Sequence, residues 1–139
     1  MKNMVFTLVL FTMAWHCTAQ NWKKDLASAI KEAAQENKKV LLFFSVPDYC
    51  DACLKLERKV FKSEEFQNFA ANNYILVKVD FSDESKEKNL LIVEKYNKDG
   101  FFPLVVVLNK DSKILGKTGV YKNETPSQYL SLLQSLNKT

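Results

Sequence analysis

Apolar and polar residues follow each other along this chain in a pattern that predicts short strands separated by helices. Over Trp22–Gln35 the apolar residues recur at helical spacing with charged residues between them, so we expect an opening amphipathic helix there. Apolar runs at Val40–Val46 and Asn73–Phe81, and a third that begins at Pro103, predict strands that are covered on both faces.

Helix starts can be read from residues between and after these strands. Helical spacing returns over Cys53–Phe61, directly after the first strand, and Ser63 is the expected N-cap of a further short helix. The last helix is predicted from three start signals that act together: Thr125 as N-cap, Pro126 at the first helical position and Gln128 at the third.

The order of the elements predicts the fold class. A helix that carries Leu91, Ile92 and Tyr96 is expected to stop at Gly100, and a turn after the third strand leads to a hairpin partner at 114–115. Helical crossovers make parallel neighbours, whereas a tight turn makes an antiparallel pair. We therefore expect an α/β fold with a mixed sheet and helices on both faces.

The first residues form a pattern typical of a secretory signal. Lys2 gives a positive start, Met4–Ala14 is an eleven-residue apolar stretch without charge, and small residues occupy the positions that a signal peptidase reads. We therefore expect residues 1–19 to be removed as a signal peptide by cleavage between Ala19 and Gln20.

Two alternatives to cleavage stay open. The apolar stretch is shorter than the roughly 20 residues that a membrane-spanning helix needs, so a retained anchor is the weaker interpretation. Cys17 is a candidate lipidation site, although Trp15 and His16 before it are bulkier than the residues of a lipoprotein signal. After cleavage, residues 20–139 are expected to form a single domain that is not attached to a membrane.

Cleavage changes which side chains are available for chemistry, because it removes His16, which is the only histidine, and one of the three cysteines. Without histidine the mature chain has no Cys–His pair, no Ser–His–Asp triad and no imidazole for a metal. Two cysteines alone cannot close a four-thiolate zinc site. The 20 basic and 16 acidic residues are scattered, so nucleic-acid binding is not expected either.

Cys50 and Cys53 stand where the first strand gives way to a helix. The free N–H groups and the dipole at a helix N-terminus stabilise a thiolate. Cys50, just outside the helix, is the candidate nucleophile, and Cys53, one turn in, is the candidate resolving thiol. A structural disulfide is an alternative that adds little stability, since the loop is so short. A second alternative is that the two cysteines form half of a metal site shared between two chains, although the chain lacks further soft ligands.

These features together resemble the thioredoxin superfamily, and most closely its small exported bacterial members. The segments "LLFFSVPDYCDACLKLERKVFKSEEFQNFAANNYILVKVDF" and "KYNKDGFFPLVVVLNKDSKILGKTGVY" are similar to the characteristic segments of that family. The resemblance extends from Trp22 to the C-terminal helix. It implies a thioredoxin-like three-layer α/β/α fold with a central mixed sheet and an added N-terminal helix.

The resemblance also implies roles for single residues. Cys50 would be the attacking cysteine and Cys53 the resolving one, the two forming a redox-active disulfide. Pro103 would be a cis-proline that faces the active site, and the backbone of Phe102 would pair with an extended substrate segment. Tyr49 stands where thioredoxins usually have Trp, and we expect it to keep an aromatic cover over the sulfur.

Several positions around Cys50 depart from the family pattern. Many thioredoxins carry a buried carboxylate six residues before the first cysteine, where it helps to move the proton of the resolving cysteine, and this chain has Phe44. Asp48 and Asp51 flank Cys50 as modulating charges, and we expect them to raise the pKa of its thiol. Lys55 and Arg58 partly offset that effect.

The function that the resemblance implies is that of an exported thiol–disulfide oxidoreductase of reductase or isomerase type, without a cofactor or metal. Its partners would be exported proteins with thiols or disulfides and an unidentified redox protein that recharges the dithiol. We expect a monomer in the periplasm, with secretion or the outer surface as alternatives. A different class of function stays open, namely a non-catalytic thioredoxin-fold module that binds an extended partner segment on its Pro103 side.

Overall fold

The computed structural model of the protein describes residues 21–81 and 86–137, and the predicted signal peptide at residues 1–19 lies outside them. Within the described ranges the chain forms five α-helices, one π-helical segment and four strands. The helices are α1 (Leu26–Glu36), α2 (Asp51–Leu56), α3 (Glu64–Asn73), α4 (Lys86–Tyr96) and α5 (Pro126–Leu136). The strands are β1 (Lys39–Ser45), β2 (Tyr74–Asp80), β3 (Leu104–Leu108) and β4 (Ile114–Lys117), and the π-helical segment Glu57–Phe61 continues α2.

In the part of the chain that the structure describes, the four strands form one mixed sheet in the order β2-β1-β3-β4. β1 and β2 are parallel, whereas β3 is antiparallel to β1 and β4 is antiparallel to β3. The expectation that helical crossovers make parallel neighbours is therefore confirmed for β2 and wrong for β3. The segment that contains α4 leaves and returns at the same end of the sheet, since Asp80 lies beside Ser45 and Leu104 lies beside Phe44.

Helices cover both faces of the sheet, which gives the three-layer α/β/α arrangement. Side chains of α1 and α4 pack with Leu42 and Phe44 of β1 on one face. Side chains of α2, α3 and α5 pack with Leu41 and Phe43 on the other. Successive side chains of a strand point to opposite faces, so the central strand contributes to both cores.

The segment before α1 is not helical, contrary to the expectation of a helix from Trp22. Helix α1 begins at Leu26, behind the N-cap Asp25, whose carboxylate accepts a hydrogen bond from the first turn. Lys23 forms a short parallel bridge to β2 instead, because its N–H donates to the carbonyl of Leu76 at 2.8 Å. Pairing with the sheet therefore prevails over the helical spacing of the apolar residues.

This bridge places Trp22 on the face of the sheet opposite to α1. Its ring centre lies 5.9 Å from that of Phe43 and 5.2 Å from that of Phe61, in the core that α2, α3 and α5 cover. Aromatic pairs at such distances stabilise the fold by more than the burial of their surface area alone. Trp22 thus fixes the N-terminal segment to the core beneath α2.

The predicted starts of α3 and α5 are confirmed. The Ser63 hydroxyl accepts a hydrogen bond from the N–H of Phe66 at 3.2 Å. Thr125 and Gln128 form a reciprocal capping box, and Pro126 is the first residue of α5. These signals are local in sequence, so they hold whatever the helices later pack against.

The prediction for the end of α4 is wrong, because the helix ends at Tyr96, four residues before Gly100. Gly100 lies in the loop that leads to β3, with a positive φ of 68° that favours glycine. Leu91, one of the apolar residues that predicted this helix, is 72% exposed.

The helix that begins as α2 widens over Glu57–Phe61. The N–H of Lys62 donates to the carbonyl of Glu57, five residues earlier, at 3.0 Å. The wider turn lets Val60 and Phe61, which are neighbours in sequence, both be buried.

Replacing Trp22 with alanine should lower the free energy of unfolding by about 2–3 kcal/mol, because it removes a partly buried aromatic anchor. Chemical denaturation followed by far-ultraviolet circular dichroism measures the loss. Leu91→Ala, which removes a mostly exposed side chain from α4, is the control and should cost less than about 0.5 kcal/mol. Equal losses in the two variants would contradict the placement of Trp22 in the core.

Candidate active site

Three strands meet at the end of the sheet where the predicted site residues lie. β1 ends at Ser45, β2 ends beside it at Asp80, and β3 starts on the other side of β1 at Leu104. The chain leaves β1 through a turn that reaches Cys50, and it enters β3 through Pro103. The strand register therefore brings the cysteine turn and the proline loop to the same end of the sheet.

Cys50 is the N-cap of α2, and its sulfur is joined to that of Cys53 in a disulfide with the two Cα atoms 5.2 Å apart. Its Sγ also accepts a hydrogen bond from the N–H of Cys53 at 3.1 Å. Cys50 is half-buried, whereas Cys53 has no exposed surface. Of the two sulfurs, a substrate can therefore reach that of Cys50.

The electrostatic setting of Cys50 combines opposing effects. The N-terminus of α2 favours a thiolate, since the N–H of Cys53 donates to the sulfur. Asp51 lies in the first turn and Asp48 in the preceding turn, and both side chains are exposed, as is Lys55 in the last turn. Water screens these three charges, so the hydrogen bond from the helix is the contact that acts on the sulfur directly.

Tyr49 does not cover the sulfur, contrary to our expectation. Its side chain is 91% exposed, so its ring extends into solvent. The N–H of Tyr49 donates to the carbonyl of Val46 at 3.1 Å, which closes the turn between β1 and α2. The ring is thus available to a bound partner but does not shield Cys50.

Phe44, which stands six residues before Cys50, does not face Cys53. It packs with α1 and α4, whereas Cys53 packs on the other face of the sheet with Phe43. Phe43, which shares a core with the resolving cysteine, is also apolar.

The loop before β3 contains the second predicted group of site residues. The Phe102–Pro103 peptide bond is cis, the conformation that the resemblance implies. Pro103 is buried and Phe102 is half-buried, with its ring packed edge to face against that of Phe81 at 5.8 Å. Phe101 is 56% exposed beside them.

Asn97 holds this loop, and the sequence analysis did not single it out. It is 1% exposed, and its side chain accepts from the N–H of Phe101 at 3.0 Å and donates to the carbonyl of Phe101 at 2.8 Å. Its own carbonyl accepts from the N–H of Gly100 at 3.0 Å. An asparagine shortly before a glycine is a turn signal in the sequence, but the signal does not show which residue the side chain binds.

A groove of about 190 Å³ lies between this loop and the segment after β4. It is lined by Phe101, Pro103, Leu104, Thr118, Gly119 and Val120. The N–H of Val105 donates to the Thr118 hydroxyl at 3.1 Å, which ties the two walls together. The groove can take an apolar side chain. Its second wall could not be predicted from the sequence, because it follows a short strand and carries no chemical motif.

Within residues 21–81 and 86–137, no group of three or more His, Cys, Asp or Glu side chains is placed to hold a metal ion. No helix in these two ranges is long and apolar enough to cross a membrane.

Comparisons with known proteins agree with this geometry. Residues 21–110 match a family model described as thioredoxin-like. The chain is 30% identical over 121 residues to the disulfide bond reductase DsbH of Chlamydia pneumoniae, a match that covers 83% of this chain and 72% of that protein. It is 23% identical over 112 residues to the thioredoxin-related protein DsbJ of the same organism, but it covers 32% of that protein. A solved structure of a DsbH oxidoreductase superposes with a TM-score of 0.75 at 28% identity, over 85% of this chain and 84% of the other.

After reduction of the disulfide, brief treatment with iodoacetamide should modify Cys50 well before Cys53, because Cys53 has no exposed surface. Mass spectrometry of peptides from the partially alkylated protein gives the ratio of modified Cys50 to modified Cys53. Alkylation of the unfolded protein is the control, and there the two cysteines should react alike. Equal modification of both cysteines in the folded protein would contradict the assignment of Cys50 as the accessible sulfur.

Proposed function

This chain belongs to the thioredoxin-like family, and on that premise we propose that it is an exported thiol–disulfide oxidoreductase that reduces disulfides in proteins. The observation that carries the proposal is the disulfide between an accessible N-cap cysteine and a buried cysteine one turn later. A helix N-terminus lowers the pKa of a thiol, and two cysteines at this spacing can open and close a disulfide.

The reaction would proceed in two exchanges. The Cys50 thiolate attacks one sulfur of a substrate disulfide, so that a mixed disulfide forms and the other substrate sulfur leaves as a thiolate and takes up a proton. The Cys53 thiolate then attacks the Cys50 sulfur, which closes the Cys50–Cys53 disulfide and releases the second substrate thiol. Two electrons pass from the protein dithiol to the substrate.

The substrate would be held at the proline loop. The backbone of Phe102 pairs with an extended substrate segment, and an apolar side chain of that segment enters the groove between Phe101 and Val120. Both of these residues are more than half exposed in the unbound protein, so contact with a substrate would bury apolar surface. The exposed ring of Tyr49 adds a further apolar contact.

The reducing direction is supported by the similarity to a relative whose name describes a disulfide bond reductase. Export is supported by the signal pattern over residues 1–19. A periplasmic reductant works in an oxidising compartment, so a dedicated redox protein must return two electrons to the Cys50–Cys53 disulfide after each turnover.

Replacing Cys53 with serine should trap substrate proteins on Cys50, because the second exchange can no longer occur. Trapped complexes are detected as high-mass bands on non-reducing gels that disappear on reduction. Cys50→Ser is the matched control and should trap far less, since the remaining sulfur is buried. A partner that binds equally well to a variant without both cysteines would contradict the proposal and support a non-catalytic binding module.

A further inference from the structure

Asn97 directly follows α4, and its backbone is held on both sides. Its N–H donates to the carbonyl of Val93 at 2.7 Å, and its carbonyl accepts from the N–H of Gly100 at 3.0 Å. Nζ of Lys117 donates to the carbonyl of Tyr96 at 2.7 Å, which ties the end of α4 to β4. The side chain of Asn97 therefore extends from a fixed backbone.

The side-chain amide of Asn97 contacts both peptide groups that flank Phe101. Its oxygen accepts from the N–H of Phe101 at 3.0 Å, and its nitrogen donates to the carbonyl of Phe101 at 2.8 Å. Only one orientation of the amide satisfies both contacts, because the oxygen accepts and the nitrogen donates. Asn97 is 1% exposed, whereas Lys98, Asp99 and Gly100 are exposed. The buried amide thus holds the residue at the far end of an exposed loop.

A turn at the end of a helix does not require these two contacts. The hydrogen bond from the N–H of Gly100 to the carbonyl of Asn97 closes the turn through backbone atoms alone. Asn109, in the turn between β3 and β4, accepts from the N–H groups of Asp111 and Lys113 at 2.9 Å each, which is the usual role of an asparagine in a turn. Asn97 differs because it also holds a carbonyl, and that carbonyl belongs to the proline loop.

The carbonyl that Asn97 holds sets the direction of the next N–H group. The peptide bond between Phe101 and Phe102 is trans, and the C=O and N–H of a trans peptide unit point in opposite directions. The carbonyl of Phe101 points at the buried amide of Asn97. The N–H of Phe102 therefore points away from Asn97.

Phe102 carries the backbone donor that the proline loop can offer to a substrate. The N–H of Phe101 is already bound to Asn97, and Pro103 has no N–H. Within residues 21–81 and 86–137, the N–H of Phe102 donates to no acceptor. An extended segment that pairs with this loop can therefore accept a hydrogen bond from Phe102.

We propose that Asn97 is a positioning residue for substrate binding, because it holds the carbonyl of Phe101 and so turns the N–H of Phe102 toward the backbone of an extended substrate. This inference rests on the proposed function and adds the residue that orients the pairing atom. The hydrogen bonds of Asn97 go to α4 and the proline loop, not to the cysteine turn. Its loss should therefore weaken binding of a peptide and leave the chemistry of Cys50 unchanged.

The test compares two disulfides in the mature protein that carries Cys53→Ser, in which Cys50 is the remaining cysteine. One probe is a short capped peptide whose single cysteine carries 2-nitro-5-thiobenzoate in a disulfide. The other is 5,5′-dithiobis(2-nitrobenzoic acid), which has no peptide backbone. Attack by Cys50 releases the same coloured thiolate from both probes, and a stopped-flow instrument follows that release over a range of probe concentrations.

In Asn97→Ala the concentration of peptide probe that gives the half-maximal rate should rise about three- to tenfold, as expected for the loss of one hydrogen bond. The maximal rate with the peptide and the rate with the small probe should both stay unchanged. Asn109→Ala is the matched control, because it removes an asparagine that organises the turn at the other end of β3. It should change the rate with neither probe.

A second variant removes the donor itself and leaves every side chain in place. Replacing the peptide bond between Phe101 and Phe102 with an ester deletes the N–H of Phe102, so the half-maximal concentration of the peptide probe should rise here too. Adding Asn97→Ala to the ester protein should raise it little further, because both changes act on one hydrogen bond. The ester variant also keeps the proposal testable if Asn97→Ala does not fold.

Three results would overturn the positioning role. They are an unchanged half-maximal concentration of peptide in Asn97→Ala or in the ester protein, an equal slowing of both probes in Asn97→Ala, and a full additional loss when the two changes are combined. A Cys50 that reacts with neither probe in the parent protein would instead contradict the proposed function.

Discussion

The position of β1 between β2 and β3 constrains the rest of this protein. Both edges of β1 are hydrogen-bonded, and its side chains from Val40 to Phe44 fill the cores on both faces of the sheet. A strand paired in this way cannot shift by one residue without exchanging its two faces and breaking both ladders. Its last residue, Ser45, is therefore fixed, and with it the start of α2 and the disulfide that the helix carries.

The two sulfurs at this helix start are placed for different tasks. Cys50 is reachable and receives a hydrogen bond from the helix backbone, which suits the sulfur that meets the substrate. Cys53 is sealed from solvent, which protects it from side reactions but makes its deprotonation costly. The groove beside Pro103 lies at the same end of the sheet, and it is where we propose that the substrate binds.

Features that depend on neighbouring residues could be predicted from the sequence, and features that depend on distant contacts could not. Apolar runs located the strands, and the caps at Ser63 and Thr125 follow from hydrogen bonds within one turn. The sequence pattern wrongly places Trp22 in a helix, because the bridge from Lys23 to β2 cannot be read from the spacing of the apolar residues. Three features depend on contacts between residues that only the fold brings together. They are the antiparallel direction of β3, the hydrogen bonds of Asn97 to its loop and the ion pair of Glu57 with Lys78. The cysteine pair could be located from the sequence, because the end of a strand, the start of a helix and the spacing of the two cysteines coincide in eleven residues.

Equilibration with a series of glutathione redox buffers tests whether Cys50 and Cys53 form a reversible redox pair. Acid quenching, alkylation of free thiols and mass spectrometry give the fraction of dithiol in each buffer. We expect one reversible two-electron transition, reached equally from the reduced and the oxidised protein. A pair that keeps its starting state across the whole series would contradict it.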